Sequence, residues 1–398
     1  MTGNIAQHRA RAFASIAAQS QARKRPSPAN VAEQSAGLSS SALEVAIVGD
    51  GGSGLAMGAS LAVGGHNVRL WMPAGSPPQQ CFRAGRRQVA GPASHALRFK
   101  QVDREIAASA QGSEVVVVSG RATAYAPIAD ELAPVLANGQ TIVLPDAPLC
   151  AAFQFARELA RAGADAQINI VEMGCLFDAV RVDGDSLYIS APRDKVSVCG
   201  RTRNETRRAL MTLSRLWGGL VPASNVLERG FGDVERLIHP VLTLFNALQL
   251  QSAERPAASV PGAALVSVVS RMADEVHALA AGCTVGFIGV EQILRDYAGL
   301  KVSSLGQALS EMGKDLIANR ATTGDGDSME ILAADVAETH VPLSALAMVA
   351  RIRVPMIDAL IELASCVTHR ELRKEGRGLD HLGLVGLDVS EIVETVNL

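Results

Sequence analysis

A glycine-rich loop between an apolar strand and a small-residue helix is the first feature that could do chemistry. The loop 49–54 reads GDGGSG and directly follows the continuously apolar run 45–48. In this context the G-x-G-x-x-G pattern is typical of dinucleotide binding, because free N–H groups at a helix N-terminus favour a diphosphate. We expect Gly49 to allow a tight turn, Gly51 to let the diphosphate approach, and Gly54 to let helix and strand pack closely. The predicted cofactor-binding residues of the loop are Gly49, Gly51, Gly52, Ser53 and Gly54.

The choice of nicotinamide cofactor depends on the end of the second predicted strand. That strand ends in Trp71, Met72 and Pro73, and no acidic residue occurs between His66 and Val102. An NAD-specific fold usually has a carboxylate here to bind the ribose, whereas guanidinium groups suit a 2′-phosphate. The sequence therefore favours NADPH, with NADH as the alternative cofactor. The arginines predicted to bind the 2′-phosphate are Arg83 and Arg86, which could otherwise be plain surface residues.

The elements around the loop alternate between apolar strands and helices as far as residue 171, which indicates a doubly wound parallel sheet. Residues 178–198 carry turn signals and alternating segments, and we expect an antiparallel extension of the sheet. From residue 228 onward almost all periodicity is helical. The predicted fold is α/β, a Rossmann domain followed by an all-helical C-terminal domain. We divide the chain into a disordered tail (1–42), a dinucleotide-binding domain (43–227) and a helical substrate domain (228–398).

A histidine at the start of the helical part could supply acid–base chemistry. His239 is followed by Pro240, which fits the first turn of a helix. A neutral imidazole near a nicotinamide could pass a proton to or from the reacting centre during hydride transfer. Such a histidine needs a carboxylate to hold its tautomer, and Asp335 is a candidate. A structural role is the alternative, because a lone histidine is more often structural.

Several segments of the chain resemble the opine dehydrogenases of the octopine and nopaline type. His239-Pro240 followed by Asn246 is similar to their catalytic histidine motif. The segment 335–343 (DVAETHVPL) resembles a second motif, in which Asp335 falls on the aspartate that partners the histidine. Segments 354–365 and 376–386 resemble the helix and tail that follow, so the resemblance runs in pieces from about residue 45 to 397.

The resemblance implies a reductase that condenses an amino acid, or another amine, with a 2-oxo acid. The resulting imine is reduced by NADPH or NADH to an N-(carboxyalkyl) amino acid. His239 would be the acid–base group, oriented by Asp335. The substrate side would include Glu330, Asn246 and Arg181.

Two positions depart from the family pattern. Glu330 stands where the family has an arginine that clamps a substrate carboxylate, and Glu235 replaces an asparagine four residues before the histidine. Carboxylates near the predicted cleft suggest a cationic or unusual amine substrate, or a lost substrate. Arg320 and Arg271 are candidates to replace the missing clamp.

The composition narrows the class of protein. The net charge of −3 argues against a general nucleic-acid-binding surface, and 48% hydrophobic residues leave ample material for buried cores. No apolar run reaches the roughly 18 residues of a membrane span. Six scattered cysteines have no metal-ligand spacing, so we expect reduced thiols, no metal and a cytoplasmic location. Small-molecule substrates are the expected partners, and we expect a homodimer. The N-terminal tail could instead be a transit peptide.

Two other functions remain open from the sequence. A relative of the same architecture could reduce a keto acid or a preformed imine in a specialised pathway, which Glu330 and Glu235 favour. A nucleotide-binding protein without catalysis is the third hypothesis, and retention of His239 and Asp335 argues against it.

Overall fold

The computed structural model describes residues 42–49, 51–73, 88–90, 95–96, 99–103, 105–177, 180–183, 186–189, 192–245, 263–296, 303–320 and 328–398. Several predictions lie outside these residues, namely the tail 1–41 and the site residues Arg83, Arg86 and Asn246.

Twelve strands occur in the described residues. They are β1 Glu44–Val48, β2 Asn67–Trp71, β3 Gln88–Ala90, β4 His95–Ala96, β5 Gln101–Asp103, β6 Val115–Val118, β7 Thr141–Pro145, β8 Asn169–Met173, β9 Val180–Asp183, β10 Ser186–Ile189, β11 Val196–Gly200 and β12 Leu220–Pro222. Eight of them form the main sheet in the order β12-β11-β8-β7-β6-β1-β2-β5, and the other four form a small sheet in the order β4-β3-β10-β9.

The main sheet is parallel from β5 through β8, which confirms the predicted doubly wound fold. Strand β11 runs antiparallel to β8, so the predicted antiparallel extension is also confirmed for that strand. The hairpin of β9 and β10 instead joins the small sheet, where β10 lies beside β3. Hairpin strands can pair with whichever free edge lies nearest, and a sequence pattern does not specify that edge.

The helices cover both faces of the sheet and then form a layer of their own. They are α1 Gly52–Val63, α2 Ile106–Ala110, α3 Tyr125–Leu132, α4 Ala151–Arg161, α5 Arg203–Leu213, α6 Val226–Phe231, α7 Val234–Phe245, α8 Ala263–Gly282, α9 Val290–Asp296, α10 Leu305–Arg320, α11 Ser328–Asp335, α12 Val341–Ala350, α13 Pro355–Thr368, α14 Leu372–Glu375 and α15 Val389–Val396. Short 3-10 turns follow β6 and α3, and a π-helical segment, Val336–His340, joins α11 to α12.

The strands are apolar on both faces because helices pack on both sides of the sheet. In β1, Val45 and Ile47 belong to the core shared with α1 and α5, while Ala46 and Val48 belong to the core shared with α3 and α4. Each fully buried Val or Ile contributes about 1.5–3 kcal/mol. A third core fills the helical layer and already includes Val226. The domain division at residues 227 and 228 stays a prediction.

One helical run in this layer is long and apolar enough to cross a membrane by length and composition. It spans Met329–Ala350 with a mean hydropathy of 1.2, and 67% of that stretch is buried inside the protein. No such run was predicted from the sequence, because charged residues interrupt the apolar ones. Its burial is that of a core helix packed against α7 and α13.

The glycine loop packs directly on the residue that follows β6. Gly49 has a φ of +119°, and a Cβ on it would overlap the carbonyl oxygen of Ser119. A Cβ on Gly54 would overlap the Ser119 side chain and lie 3.5 Å from Ile47. The predicted tight turn at Gly49 and close packing at Gly54 are thus both observed. Their shared neighbour Ser119 was not anticipated.

This packing predicts a specific rescue. Gly54→Ala should destabilise the protein by about 1–3 kcal/mol, because the added methyl group overpacks against Ser119. In a Ser119→Gly background the same substitution should cost much less, since only the ordinary contact with Ile47 remains. Thermal unfolding followed by circular dichroism measures the coupling between the two sites.

Gly49→Ala is the matched control for this cycle. Its added Cβ meets the backbone oxygen of Ser119, which Ser119→Gly leaves in place, and its positive φ is unfavourable for alanine. The cost of Gly49→Ala should therefore be the same in both backgrounds. Equal costs of Gly54→Ala in the two backgrounds would contradict the packing argument.

His340 ends the π-helical segment and is completely buried. Neither ring nitrogen has a hydrogen-bond partner of good geometry in the described structure. Burial lowers the pKa of His340 from its usual 6.5 to about 4, because the charged ring loses its hydration. The nearby carbonyl groups of Leu237 and Asp335 oppose this effect without overcoming it.

The lowered pKa predicts a pH-dependent loss of stability. Between pH 6.5 and 4 the unfolded chain binds a proton at this site that the folded chain does not, so stability falls as the pH falls. The loss attributable to His340 between pH 7 and 5 is about 2 kcal/mol. Urea unfolding at the two pH values should show a smaller difference for His340→Leu than for the wild type. An identical difference would exclude His340 as the source.

Candidate active site

The carboxyl ends of parallel strands meet at one edge of the main sheet, and the glycine loop lies there. The backbone N–H of Gly54 donates to Ser119 Oγ at 2.9 Å, which joins the start of α1 to the end of β6. Helix α1 begins with no side-chain cap and no acidic residue in its first turn. Glycines that admit no Cβ, together with an uncapped helix N-terminus, are what a bound dinucleotide diphosphate requires.

Asp146 follows β7 at this same edge. Its φ is +50°, a left-handed conformation that is uncommon for a residue other than glycine. The Ser53 hydroxyl donates to its carboxylate, and Arg236 donates to its backbone carbonyl. Asp146 therefore contacts both the glycine-loop helix and the helical layer. Asp146 was not predicted as a site residue, and its only signal in the sequence is an acidic residue just after a predicted strand.

Arg236 lies on α7, three residues before His239. Its Nε is 3.2 Å from Asp233, and its Nη1 is 3.7 Å from Glu338. Burial disfavours the charge on Arg236, but the carboxylates of Asp233, Glu338 and Asp146 outweigh burial and raise the pKa of its guanidinium. Arg236 is consequently a fixed cation that ties the helical layer to the sheet.

Glu338, in the π-helical segment, forms a second connection. Its carboxylate is buried and accepts the backbone N–H of Ala122 at 3.1 Å, just beyond β6. Arg377 donates to the Glu338 backbone carbonyl at 3.3 Å and to the Gln154 side chain at 2.7 Å. Arg377 belongs to the tail segment 376–386 that resembles the opine dehydrogenases. Its two hydrogen bonds hold the π-helical segment against α4.

His239 is half-buried on α7, and Pro240 follows it inside the helix. The expectation that Pro240 marks the first turn was wrong, because α7 already begins at Val234. Proline has no N–H group, so the carbonyl of Arg236 lacks its usual partner one turn later. The missing hydrogen bond lies in α7, the helix that carries His239.

Asp335 ends α11, which packs against α7. Its Oδ1 lies 3.8 Å from Nη1 of Arg121. Within the part of the chain that the structure describes, no hydrogen bond or ion pair joins Asp335 to His239. The predicted contact between them is therefore not observed in the described structure. The catalytic roles of both residues stay predictions.

Glu235 does not present an unpaired carboxylate to the cleft. Nη2 of Arg193 lies 2.8 and 2.7 Å from its two oxygens. This pairing largely neutralises Glu235, which weakens the inference that the departure at this position selects a cationic substrate. Glu235 lies one helical turn before His239 and on the same face of α7.

A cavity of about 220 Å³ lies beside β8, β11 and β12 and the start of α7, and no glycine-loop residue lines it. Positively charged, negatively charged and apolar residues all line the cavity. The charged lining residues are Arg193, Lys195, Arg229, Glu228, Asp233 and Glu235. One of these residues, Arg229, forms a buried ion pair with Glu172 at 2.8 Å, and burial raises the pKa of Glu172. The cavity meets α7 at its start, through Val234 and Glu235, and His239 is not among its lining residues.

Glu330 lies away from this region. Its side chain is 67% exposed, and both of its oxygens are 3.0 Å from Nη1 of Arg370. Five residues correspond to a rotation of about 140° around an α-helix, so Glu330 and Asp335 lie on different faces of α11. The expected repulsion of a substrate carboxylate by Glu330 does not arise in this geometry. Of the suggested replacements, Arg271 is exposed on α8, and the structure does not describe the side chain of Arg320.

Arg181 lies on β9, paired with Tyr188 of β10 in the small sheet, so its predicted substrate role is not tested by any described contact. At the end of β2, no carboxylate follows the strand among the described residues. The nearest strand neighbour in register with Trp71 is Asp103, whose buried carboxylate accepts from Ser109 at 2.7 Å. Arg69 is bound to Glu44 at 3.3 Å and to the Gln111 carbonyl at 2.7 Å, which leaves it unsuited to a phosphate.

The remaining sulfur and acidic groups form no metal site in the described residues. Five described cysteines are free thiols, namely Cys150, Cys175, Cys199, Cys283 and Cys366.

No protein-family model matches the chain. Over 358 residues the chain is 25% identical to the opine dehydrogenase of Arthrobacter sp. (strain 1C). The aligned region covers 88% of this chain and 98% of that protein. The structure of octopine dehydrogenase in complex with NADH and agmatine is similar with a TM-score of 0.66, at 15% identity over 88% of this chain and 98% of that one. Yersinopine dehydrogenase with NADP+ bound has a TM-score of 0.62, at 13% identity over 89% and 98% of the two chains.

The two structural similarities show a common fold. The sequence similarity extends over nearly the full length of both proteins and includes the segments that carry the glycine loop, His239 and Asp335. The chain is therefore similar to an opine dehydrogenase in sequence and to octopine dehydrogenase in fold.

Proposed function

We propose that this protein is an NAD(P)H-dependent opine dehydrogenase. It condenses the amino group of an amino acid, or of another amine, with the carbonyl of a 2-oxo acid and reduces the imine to an N-(carboxyalkyl) amino acid. The observation that carries the proposal is the arrangement of one sheet edge. At that edge the glycine-loop helix is joined to α7, because Asp146 accepts from the Ser53 hydroxyl and from Arg236, which lies one turn before His239.

The ligands of similar structures support the substrate classes. Octopine dehydrogenase has been solved with NADH and pyruvate, and with NADH and L-arginine. Pyruvate is a 2-oxo acid and L-arginine is an amino acid. For this chain we accordingly propose one substrate of each class.

We propose NADPH as the preferred cofactor, with NADH as the alternative. The bound nicotinamide would supply the hydride. The residues of this chain would hold its diphosphate at Gly49, Gly51, Gly52, Ser53 and Gly54, where the start of α1 is uncapped. No described carboxylate follows β2, and we assign the 2′-phosphate to the predicted residues Arg83 and Arg86. A cytoplasmic location and a homodimer likewise stay predictions from the sequence.

His239 would be the general acid–base group of the protein. The half-buried imidazole of His239 on α7 can accept a proton from the incoming amine and return one to the departing oxygen of the intermediate. Asp335 would stabilise the imidazolium if its carboxylate turns from Arg121 toward α7. Both steps need only groups that already lie on two helices packed against each other.

The cavity lining supports an amine substrate that carries both charges. Three cations and three carboxylates line it, and the pairing of Arg193 with Glu235 and of Arg229 with Asp233 and Glu172 leaves little net charge. A zwitterionic amino acid fits such a lining better than a simple cation, because neither of its charged groups would face an uncompensated like charge.

The proposal predicts amine-dependent oxidation of a reduced nicotinamide nucleotide. The purified protein should oxidise NADPH only when an amino acid and a 2-oxo acid are both present, and NADPH should give a higher kcat/KM than NADH. Loss of absorbance at the nicotinamide band measures this across pools of amino acids and 2-oxo acids.

The control reactions separate the alternatives. Oxidation with a 2-oxo acid alone would favour a keto acid reductase of the same architecture. Binding of the nucleotide without turnover in any pool would favour the non-catalytic alternative.

His239→Gln should keep the affinity for NADPH and lower turnover by on the order of a hundredfold or more, because the acid–base group is lost. The matched control is His381→Gln, since His381 is an exposed histidine that pairs with Asp380 at 3.0 Å and lies outside the proposed site. Steady-state kinetics and nucleotide fluorescence measure the two quantities. Normal turnover of His239→Gln would remove His239 from the mechanism.

A further inference from the structure

We infer that Arg121 binds the carboxylate of the 2-oxo acid, and that it thereby takes the role of the arginine that position 330 lacks. The inference rests on the proposed function. It identifies a substrate-binding residue on the sheet side of the cleft, where the sequence pattern of the family did not point.

Arg121 occupies the right place. It is the second residue after Ser119, which contacts the glycine loop, and it precedes the 3-10 turn Ala122–Ala124. Its guanidinium reaches across to the helical layer, where Nη1 lies 3.8 Å from Asp335. The side chain therefore spans the gap between the dinucleotide loop and the helices that carry His239 and Asp335.

The backbone around Arg121 is held from both sides. Its carbonyl accepts the N–H of Ala124 at 2.9 Å, and the N–H of Ala122 donates to the buried carboxylate of Glu338 at 3.1 Å. A guanidinium on an anchored backbone loses less conformational freedom on binding a ligand than one on a mobile loop.

The charge of Arg121 is available to a ligand. Its side chain is 42% exposed, and 3.8 Å is too long for a hydrogen bond to Asp335. An exposed pair of this kind contributes little, so a carboxylate that makes two parallel hydrogen bonds can replace it. Five N–H donors in a planar fork suit such bidentate binding.

Other described arginines near this edge are committed to protein carboxylates. Arg193 lies 2.7 Å from Glu235, Arg229 lies 2.8 Å from Glu172, and Arg236 lies 3.2 Å from Asp233. Releasing any of these three cations would leave a buried or half-buried carboxylate unpaired, which is costly. Of these four arginines, Arg121 is the one whose release costs least.

Binding at Arg121 would also affect the catalytic pair. When a substrate carboxylate occupies the guanidinium, the attraction that holds Asp335 toward Arg121 is compensated. The Asp335 carboxylate is then free to turn toward His239, because helix α11, which carries Asp335, packs against helix α7, which carries His239. Substrate binding and the orientation of His239 would be linked through this one arginine.

The test is a kinetic and binding comparison of Arg121→Gln and Arg121→Lys with the wild type. With the amine saturating, the KM for pyruvate and for 2-oxoglutarate should rise at least tenfold, on the order of a hundredfold, in Arg121→Gln. The KM of Arg121→Lys for the 2-oxo acids should lie between those of the wild type and Arg121→Gln, because lysine keeps the positive charge but cannot make two parallel hydrogen bonds. The Kd for NADPH and the KM for the amine should change by less than about threefold.

A second readout does not depend on turnover. Oxamate, an unreactive carboxylate of similar shape, should bind the wild-type protein–NADPH complex in isothermal titration and bind Arg121→Gln at least tenfold more weakly. The matched control is Arg157→Gln, since Arg157 has a similarly exposed side chain, 44%, paired with Glu158 on the far part of α4.

The outcomes separate the two proposals. Wild-type turnover with an unchanged KM for the oxo acid in Arg121→Gln would overturn the role of Arg121 and leave the proposed function standing. A rise in the KM for the amine instead of the oxo acid would also overturn it. Absence of any amine-dependent turnover in the wild type would overturn the proposed function itself, and the role of Arg121 with it.

Discussion

Four consecutive residues after strand β6 connect the two layers of this protein. Ser119 fills the space left by the loop glycines and accepts the Gly54 N–H, while Ala122 donates to the buried Glu338 of the helical layer. Between them lies Arg121, which approaches Asp335. The cofactor loop, the end of the central strand and the π-helical segment are therefore positioned by one short stretch of backbone. A displacement there would move the two halves of the site relative to each other.

A second connection runs parallel to the first. Ser53 at the start of α1 donates to Asp146, whose backbone carbonyl accepts from Arg236, and Arg236 lies one turn from His239 on the same helix. Arg236 in turn faces Glu338, so both connections end on the same carboxylate. Buried charged groups persist only when they are paired, and here the pairs cross from sheet to helices. The cleft is thus bounded by polar contacts, in contrast to the apolar cores on either side of it.

The sheet and most helices could be predicted because apolar periodicity reports burial on one or two faces. The turn at Gly49 was predictable for a similar reason, since only glycine tolerates its conformation. The contacts of charged side chains were not. Glu235 was expected to face substrate, yet it binds Arg193, which lies 42 residues earlier in the chain. Such pairings depend on which surfaces meet in three dimensions, and no local pattern encodes them.

The position of Glu330 shows how a motif can keep its order in the sequence and still change its role. The π-helical segment begins directly after Asp335, and the regular helix before it places Glu330 on the outer surface beside Arg370. An arginine at position 330 on this backbone would face solvent and Arg370, not the cleft. The loss of the family arginine therefore removes little from a site of this geometry. On the opposite wall, just after β6, lies Arg121, the cation that we propose binds the substrate carboxylate instead.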